Sequence, residues 1–281
     1  MIDDVPMVIE TPHTLTEALR IMTESPTTPI AGGTDLFVNW HHKPTHDLRL
    51  LDLSRLRGEL GTIRVDAASL ELGALATYWD VLSHQNVCRA FPLLADAARQ
   101  VGSVQIQTRG TWAGNIGNGS PAADGVPVMM AYDATVVLQS TSERREVPLD
   151  AYWTGYKKSV RRPDELIVAI RLPRRARSAE WFHKVGARSA QTITKVGVAV
   201  VHDATGWRVC ANSVAPFVCR CRNVENALSN GATFASPDEI RDLLAKDISP
   251  INDIRSTASY RTNVLARLLF SWMQTNQRPI A

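Results

Sequence analysis

The chain has 281 residues, 44% of them hydrophobic and 21% charged, which is enough apolar material for a sizeable core and too little charge for bulk disorder. Its 31 Lys and Arg against 28 Asp and Glu leave a net charge of +3, so charge alone gives nucleic-acid binding no support. The length predicts roughly two domains, no run of about 18 apolar residues marks a membrane span, and the opening Met1-Ile2-Asp3-Asp4-Val5-Pro6 lacks the basic and apolar parts of a signal peptide.

Val8-Ile9 ends a short strand, and Thr14 with Glu17 forms a capping box ahead of Leu15, Ala18, Leu19 and Met22 at helical spacing. Thr28 to Ala31 reads as a short buried strand that feeds a glycine loop, Ala31-Gly32-Gly33-Thr34-Asp35. Thr34 or Asp35 is then placed to cap a short helix through Leu36, Phe37 and Trp40, and Arg49 to Leu53 is the next strand of a small βαβ unit. A strand, a glycine loop and a helix N-terminus in that order present N–H groups to an anion. No Lys or Arg lies inside the loop, so backbone N–H groups and helix dipoles must hold any phosphate there.

Ile63-Arg64-Val65 and Leu70-Glu71-Leu72 read as strands around a turn at Asp66 to Ser69, followed by a helix from about Phe91 to Gln100. A second glycine-bearing loop comes next, from Thr111 to Asn118, in which Thr111, Gly114 and Asn115 bring together a hydroxyl, an open backbone and an amide. Ser120-Pro121 reads as the N-cap and first residue of a helix toward Met129 and Met130, with Asp124 inside it. This polar series, Ser120 and Asp124 included, is able to hold a pyrophosphate and a ribose together. Thr135 to Gln139, Arg144 to Val147 and Leu166 to Leu172 complete an α+β, mostly antiparallel part.

Pro173 to Ser178 is the best domain boundary. Beyond it Trp181 to Val185, Val196 to His202 and Trp207 to Asn212 form a meander, and helices follow at about Arg220–Leu228, Pro237–Lys246 and Ser256–Gln274, the last with an apolar stripe of Leu265, Leu268, Leu269 and Met273. Cys88, Cys210, Cys219 and Cys221 match neither zinc nor iron–sulfur spacing and read as reduced thiols, with Cys219 and Cys221 the only close pair. His41-His42 reads as a solvated loop, because adjacent helical positions do not face one metal. The arginines at 161, 162, 171, 174, 175 and 177 read as a solvated face, or as a docking face for an acidic partner or a nucleotide. Asp164-Glu165 reads as turn chemistry.

Taken together, these segments resemble a known family. Ala31 to Leu36 is similar to the first flavin loop of the FAD-binding medium subunits of molybdenum hydroxylases, such as the flavin subunits of bacterial CO dehydrogenase, 4-hydroxybenzoyl-CoA reductase and xanthine dehydrogenase. Gly102 to Thr111, Gly114-Asn115-Ile116, Ser120 to Asp124, Val214-Ala215-Pro216 and Arg255 to Arg261 also look like the family, so the resemblance runs from about residue 5 to about residue 270. It implies an α+β fold: a PCMH-type FAD-binding region over 1–175, made of subdomains at about 1–55 and 56–175, then a small CO dehydrogenase flavoprotein-type C-terminal domain over 176–281.

At the matching positions, Ile30, Ala31, Gly32, Gly33, Thr34, Asp35 and Leu36 would wrap the FAD pyrophosphate with backbone N–H groups, and Thr111, Gly114 and Asn115 would grip it from the other side. Asp124 would bond the ribose or adenine side, Val101 would pack against the cofactor, Val168 would supply a backbone contact, and Lys184 would stand near the flavin ring, where its charge favours the anionic reduced form. No catalytic or metal residue is assigned. The sequence departs from the family once: Thr111-Trp112-Ala113-Gly114-Asn115 stands where Thr-Ile-Gly-Gly-Asn is usual. A left-handed backbone at Ala113 would cost about 1 kcal/mol or more, so either φ is negative there or the loop shifts.

The resemblance implies an electron-transfer subunit. Substrate would be oxidised in a large molybdopterin subunit, electrons would pass through 2Fe–2S clusters of a small subunit to the FAD, and an external acceptor would take them. The assembly would be a heterotrimer or its dimer, cytoplasmic, with molybdopterin and iron–sulfur clusters on the partners only. A stand-alone flavin-dependent oxidase needs its own substrate cavity, for which the tail after residue 176 is small. A cofactor-free assembly subunit is the other alternative, suggested by Trp112 and Ala113.

Overall fold

The computed structural model describes residues 7–38, 48–188 and 191–276. A small parallel sheet comes first. β1 (Val8–Glu10) and β2 (Thr28–Ile30) both pair in parallel with a central β3 (Arg49–Asp52), and α1 (Leu15–Glu24) makes the crossover between β1 and β2 that parallel strands require. Thr14 caps α1 by accepting from Glu17 N at 3.1 Å, but the Glu17 carboxylate reaches His13 N (2.7 Å) instead of Thr14 N, so the expected capping box is displaced by one residue. β2 is half-exposed, not buried as its composition predicts, because it is a sheet edge and borders a cleft. Residues 34–36 form turns; Trp40, His41 and His42 lie outside the described residues. The short α2 (Arg57–Leu60) closes this unit.

A five-stranded antiparallel sheet follows, in the order β4 (Ile63–Val65), β5 (Ser69–Gly73), β10 (Leu166–Pro173), β6 (Thr135–Gln139), β7 (Arg144–Pro148). Between β5 and β6 the chain runs through six helices: α3 (Tyr78–Ser83), α4 (Gln85–Ala90), α5 (Pro92–Gln100), α6 (Val104–Gln107), α7 (Trp112–Asn118) and α8 (Gly125–Ala131). β6 (Thr135–Gln139) and β7 (Arg144–Pro148) are joined to β10 (Leu166–Pro173) by a small hairpin of β8 (Trp153–Gly155) and β9 (Lys158–Ser159). Strand alternation divides the side chains between two cores. Leu70, Leu72, Val136, Leu138, Ile170 and Leu172 pack under the helices with Phe91, Leu94, Trp112 and Met129, while Val137 and Ala169 face α1 and its Leu19 and Met22. A bulge between Ile167 and Ala169 puts Val168 on the α1 side as well.

Two expectations change here. The second glycine-bearing segment is a helix, α7, not a loop: the Thr111 hydroxyl caps it by accepting from Gly114 N at 2.9 Å, and Trp112, Ala113 and Ile116 are buried along one side. Between Thr111 and Gly119, positive φ occurs only at Gly119 (60°), which ends the helix, so Ala113 carries no left-handed strain. The helix toward Met129 starts at Gly125 instead of Pro121, because Ser120 Oγ accepts from Ala122 N in a tight turn and Asp124 takes the N-cap position.

The last unit is a four-stranded antiparallel sheet of β11 (Arg177–Val185), β12 (Val196–Asp203), β13 (Gly206–Asn212) and β14 (Cys219–Arg220), covered by α9 (Arg222–Ser229), α10 (Pro237–Leu244) and α11 (Ala258–Asn276). Val196, Val198, Val200 and Val209 face the helices with Leu244, Leu265, Leu269 and Met273; the opposite face puts Ala199, Val201 and Cys210 into the core of the middle unit. The arginines at 161, 162, 171, 174, 175 and 177 each have an internal partner, while Arg162 and Arg174 stay exposed as a solvated face requires. Arg161 meets Glu165 O (2.6 Å), Arg162 Glu143 (2.6 Å), Arg171 Glu71 (2.8 Å), Arg174 Asp66 O (3.0 Å), Arg175 Asp133 (2.8 Å) and Arg177 Glu180 (2.9 Å).

Buried Arg208 ties this sheet to α8, donating to Ala131 O at 2.6 Å and to the Asp203 carboxylate. Burial alone would raise the Asp203 carboxyl, but hydrogen bonds from the Thr205 hydroxyl and N–H and from Arg208 outweigh it and bring it down to about 2. A depressed folded-state value contributes stability above the unfolded value and loses it as pH falls. Between about pH 4 and pH 2 the chain should therefore lose about 2 kcal/mol through this group. Urea unfolding across that range should show this acid limb, and Asp203→Asn should flatten it; an unchanged limb would rule the group out.

Candidate functional site

A cleft of about 1090 Å³ opens between the small parallel sheet, the helices of the middle unit and two loops of the last unit. That is just above the roughly 300–1,000 Å³ of small-molecule sites and suits a long ligand. Its first wall runs from Ile30 through Ala31, Gly32, Gly33, Thr34 and Asp35 to Leu36. Gly32 is obligatory: a Cβ there would lie 1.9 Å from Arg109 O and 3.1 Å from Gly110 N. Gly33 takes φ +73°, which turns the loop so that its carbonyl accepts from Phe37 N at 3.0 Å.

The second wall is the start of α7 and the segment after it, with Thr111, Gly114, Asn115, Ser120 and Asp124 all at the cleft and Val101 beside them. Tyr78 N donates to Gly110 O and Trp112 N to Ala76 O, both at 3.2 Å, so the N-terminus of α7 is pinned to the segment entering α3. Asn115 Oδ1 accepts from Gly125 N at 3.1 Å and fixes the turn carrying Ser120 through Asp124. The two walls touch, because the Gly32 backbone lies against the Arg109–Gly110 backbone. Two segments about 80 residues apart in sequence thus form one site.

Two expected residues do not line this cleft. Val168 is buried at the β10 bulge, its carbonyl accepting from Ala74 N at 3.0 Å. Lys184 lies behind the second wall, where its Nζ pairs with Asp124 Oδ2 at 2.6 Å and donates to Gln100 O at 2.8 Å. Asp124 also accepts from Thr194 and Asn212. Burial pushes its carboxyl up from the ordinary value, and the Lys184 charge is the largest opposing influence. Burial likewise raises the Asp35 carboxyl at the cleft, with Lys157 opposing.

Sequence reasoning missed several lining groups. Tyr78 lies at the start of α3, and the β8–β9 hairpin tip brings Tyr156 and Lys157 to the cleft, Lys157 with φ +53°. Arg161, Arg188 and Arg255 add positive charge at the edge of a site whose first wall carries none. Lys157 carried a usable signal, the turn between Trp153 and Ser159, and Arg161 belongs to the basic stretch for which nucleotide docking is one reading; the others depend on long-range packing. Among the described residues no group of three or more His, Cys, Asp and Glu is positioned for a metal, and Cys219 and Cys221 interact with each other near the buried Cys210.

The chain matches two families. The family described as the FAD binding domain in molybdopterin dehydrogenase covers residues 6–175, and the CO dehydrogenase flavoprotein C-terminal domain covers 181–275. A putative xanthine dehydrogenase FAD-binding subunit of Escherichia coli K12 is 26% identical over 90% of this chain and 89% of its own length. The carbon monoxide dehydrogenase medium chain of Hydrogenophaga pseudoflava is 28% identical over 85% of each chain. Among solved structures, a chain of carbon monoxide dehydrogenase from Hydrogenophaga pseudoflava superposes with a TM-score of 0.85 at 27% identity, covering 94% of this chain and 95% of that one. Quinoline 2-oxidoreductase from Pseudomonas putida 86 shares the fold, with a TM-score of 0.84 at 19% identity over 95% and 96% of the two chains.

Proposed function

The chain belongs to the family of FAD-binding domains of molybdopterin dehydrogenases, and from that premise we propose that it is the flavin-carrying electron-transfer subunit of a multi-subunit molybdenum hydroxylase. The single observation that carries the reading is the contact between Gly32 and the Arg109–Gly110 backbone, which makes two glycine-bearing segments into facing walls of one long cleft. The residues present fit FAD. Gly32 and Gly33 leave backbone exposed where no side chain can stand, the first wall has no side-chain cation, and the α7 N-terminus faces it. Ile30 to Leu36 would hold the diphosphate from one side, and Thr111, Gly114 and Asn115 from the other. Ser120 would add a hydroxyl, Val101 an apolar contact and Asp124 a ribose acceptor. Val168 and Lys184 would act indirectly, by holding β10 and Asp124 in place.

Bound FAD supplies a ring that accepts electrons from an iron–sulfur partner and passes them to an external acceptor. The protein's own contribution is to fix the ring's position and surroundings. We place the molybdopterin and 2Fe–2S groups on large and small partner subunits, in a heterotrimer or its dimer. Four free thiols fit a reducing cytoplasm, and no described helix is long and apolar enough to cross a membrane. The ground for a cofactor-free assembly subunit is removed, since Ala113 is helical and Trp112 is core.

The full chain, purified alone and with co-expressed molybdopterin and iron–sulfur subunits, tests this. Alone it should carry one FAD and show no substrate-driven bleaching; with its partners, their substrate should bleach the flavin. A folded chain that takes up no FAD sinks the reading, and bleaching without partners would make it a stand-alone oxidase.

A further inference from the structure

Tyr78 is 3% exposed and lines the cleft. Its hydroxyl has no hydrogen bond to any described residue, yet it is not among the polar atoms sealed from solvent, so it opens onto the cleft. A hydroxyl that has no protein partner and faces a cleft is left free to bond to what the cleft holds. The ring is held firmly. Thr77 caps α3 in a reciprocal box with Asp80 (3.1 and 2.8 Å), Tyr78 N donates to Gly110 O, and the ring meets Trp112 edge-on at 4.9 Å. A Cβ on Gly110 would lie 3.1 Å from the Tyr78 ring and 3.4 Å from Thr34 Oγ1, so the phenol stands where the two walls meet.

Resting on the reading of the cleft as an FAD site, we infer that the Tyr78 hydroxyl is a cofactor-binding donor that hydrogen-bonds the FAD diphosphate at the junction of the two walls. Burial and the nearby Asp124 and Asp35 carboxylates push the phenol well above its usual value, so it stays protonated and can donate. Those carboxylates also explain why a neutral donor suits this place: a phenolate would repel them and the diphosphate alike, whereas the O–H group offers an anion its positive end.

The test is Tyr78→Phe in the full chain, which keeps the ring and its contact with Trp112. Without FAD the variant should melt at or above the wild-type temperature, since no protein hydrogen bond is lost. FAD affinity should fall about tenfold, ADP affinity should fall by a similar factor, and the rise in melting temperature on adding FAD should shrink. Wild-type affinity for FAD in the variant overturns the inference, as does a loss for FAD with ADP unchanged. A less stable variant without FAD also overturns it, because the hydroxyl would then be serving the fold. If the wild-type chain itself binds no FAD, the functional reading fails first, and that result is distinct from the others.

Discussion

Replacing Gly32 by alanine should weaken FAD binding at least about 100-fold. The new methyl would meet Arg109 O at 1.9 Å and Arg109 C at 2.5 Å, both backbone atoms of the other wall. A flexible side chain could swing aside, but this carbonyl belongs to a segment whose next residue already pairs with Tyr78 N. The walls must separate by about 1.5 Å to restore ordinary contact, and such overpacking costs about 1–3 kcal/mol of stability. The larger loss is in binding. A diphosphate held by amides of both walls loses at least one set of charge-assisted hydrogen bonds, each worth roughly 1.5–3 kcal/mol, so affinity should fall at least about 100-fold. Gly58→Ala is the control, since its Cβ meets nothing within 4 Å in α2. Titration of the full chain with FAD, followed by flavin fluorescence, measures both; near-wild-type affinity in Gly32→Ala would rule out the two-wall site.

The first wall was readable because its chemistry is local. A Gly-Gly pair after an apolar strand has few uses, and φ +73° at Gly33 is the kind of backbone such a pair permits. The second wall misled because Gly114, Gly117, Asn115 and Asn118 have the composition of a loop. What makes it helical is the Thr111 cap and the burial of Trp112, Ala113 and Ile116, and Trp112 buries itself against Tyr78, a residue outside the segment. The same packing explains the departure from the family's Ile-Gly pair: a larger side chain reaches the core, and helical φ needs no glycine. Helices α3, α4 and α6 escaped notice because each is six residues or fewer, too short for a 3.6-residue period to show. Tyr78, Arg188 and Arg255 could not be placed from sequence, since only the folded arrangement of three sheets brings them to one cleft.

Lys184→Met should destabilise the chain before it alters any bound cofactor. The side chains of Lys184 and Asp124 are 5% and 11% exposed, and their ion pair is completed by Gln100 O, Thr194 and Asn212. Removing one partner of such a pair strands the other charge in the interior, at a cost of about 3–5 kcal/mol. For a chain of this length that corresponds to roughly 10 °C in the melting temperature without FAD. The loss should grow with pH. Without its cation, the buried Asp124 carboxyl is raised further above its unfolded value, so the variant loses stability as pH climbs from about 4 toward that raised value. Lys184→Met combined with Asp124→Asn should lose about 1–3 kcal/mol less than the two single losses added together, because neither charge is then left alone. A lysine acting directly on the flavin would behave in the opposite way: the single variant would keep its melting temperature without FAD and shift only the potential of the bound flavin. Asp124 lines the cleft and Lys184 stands behind it, so on the proposed reading the lysine would act on a ligand only through the carboxylate that it positions.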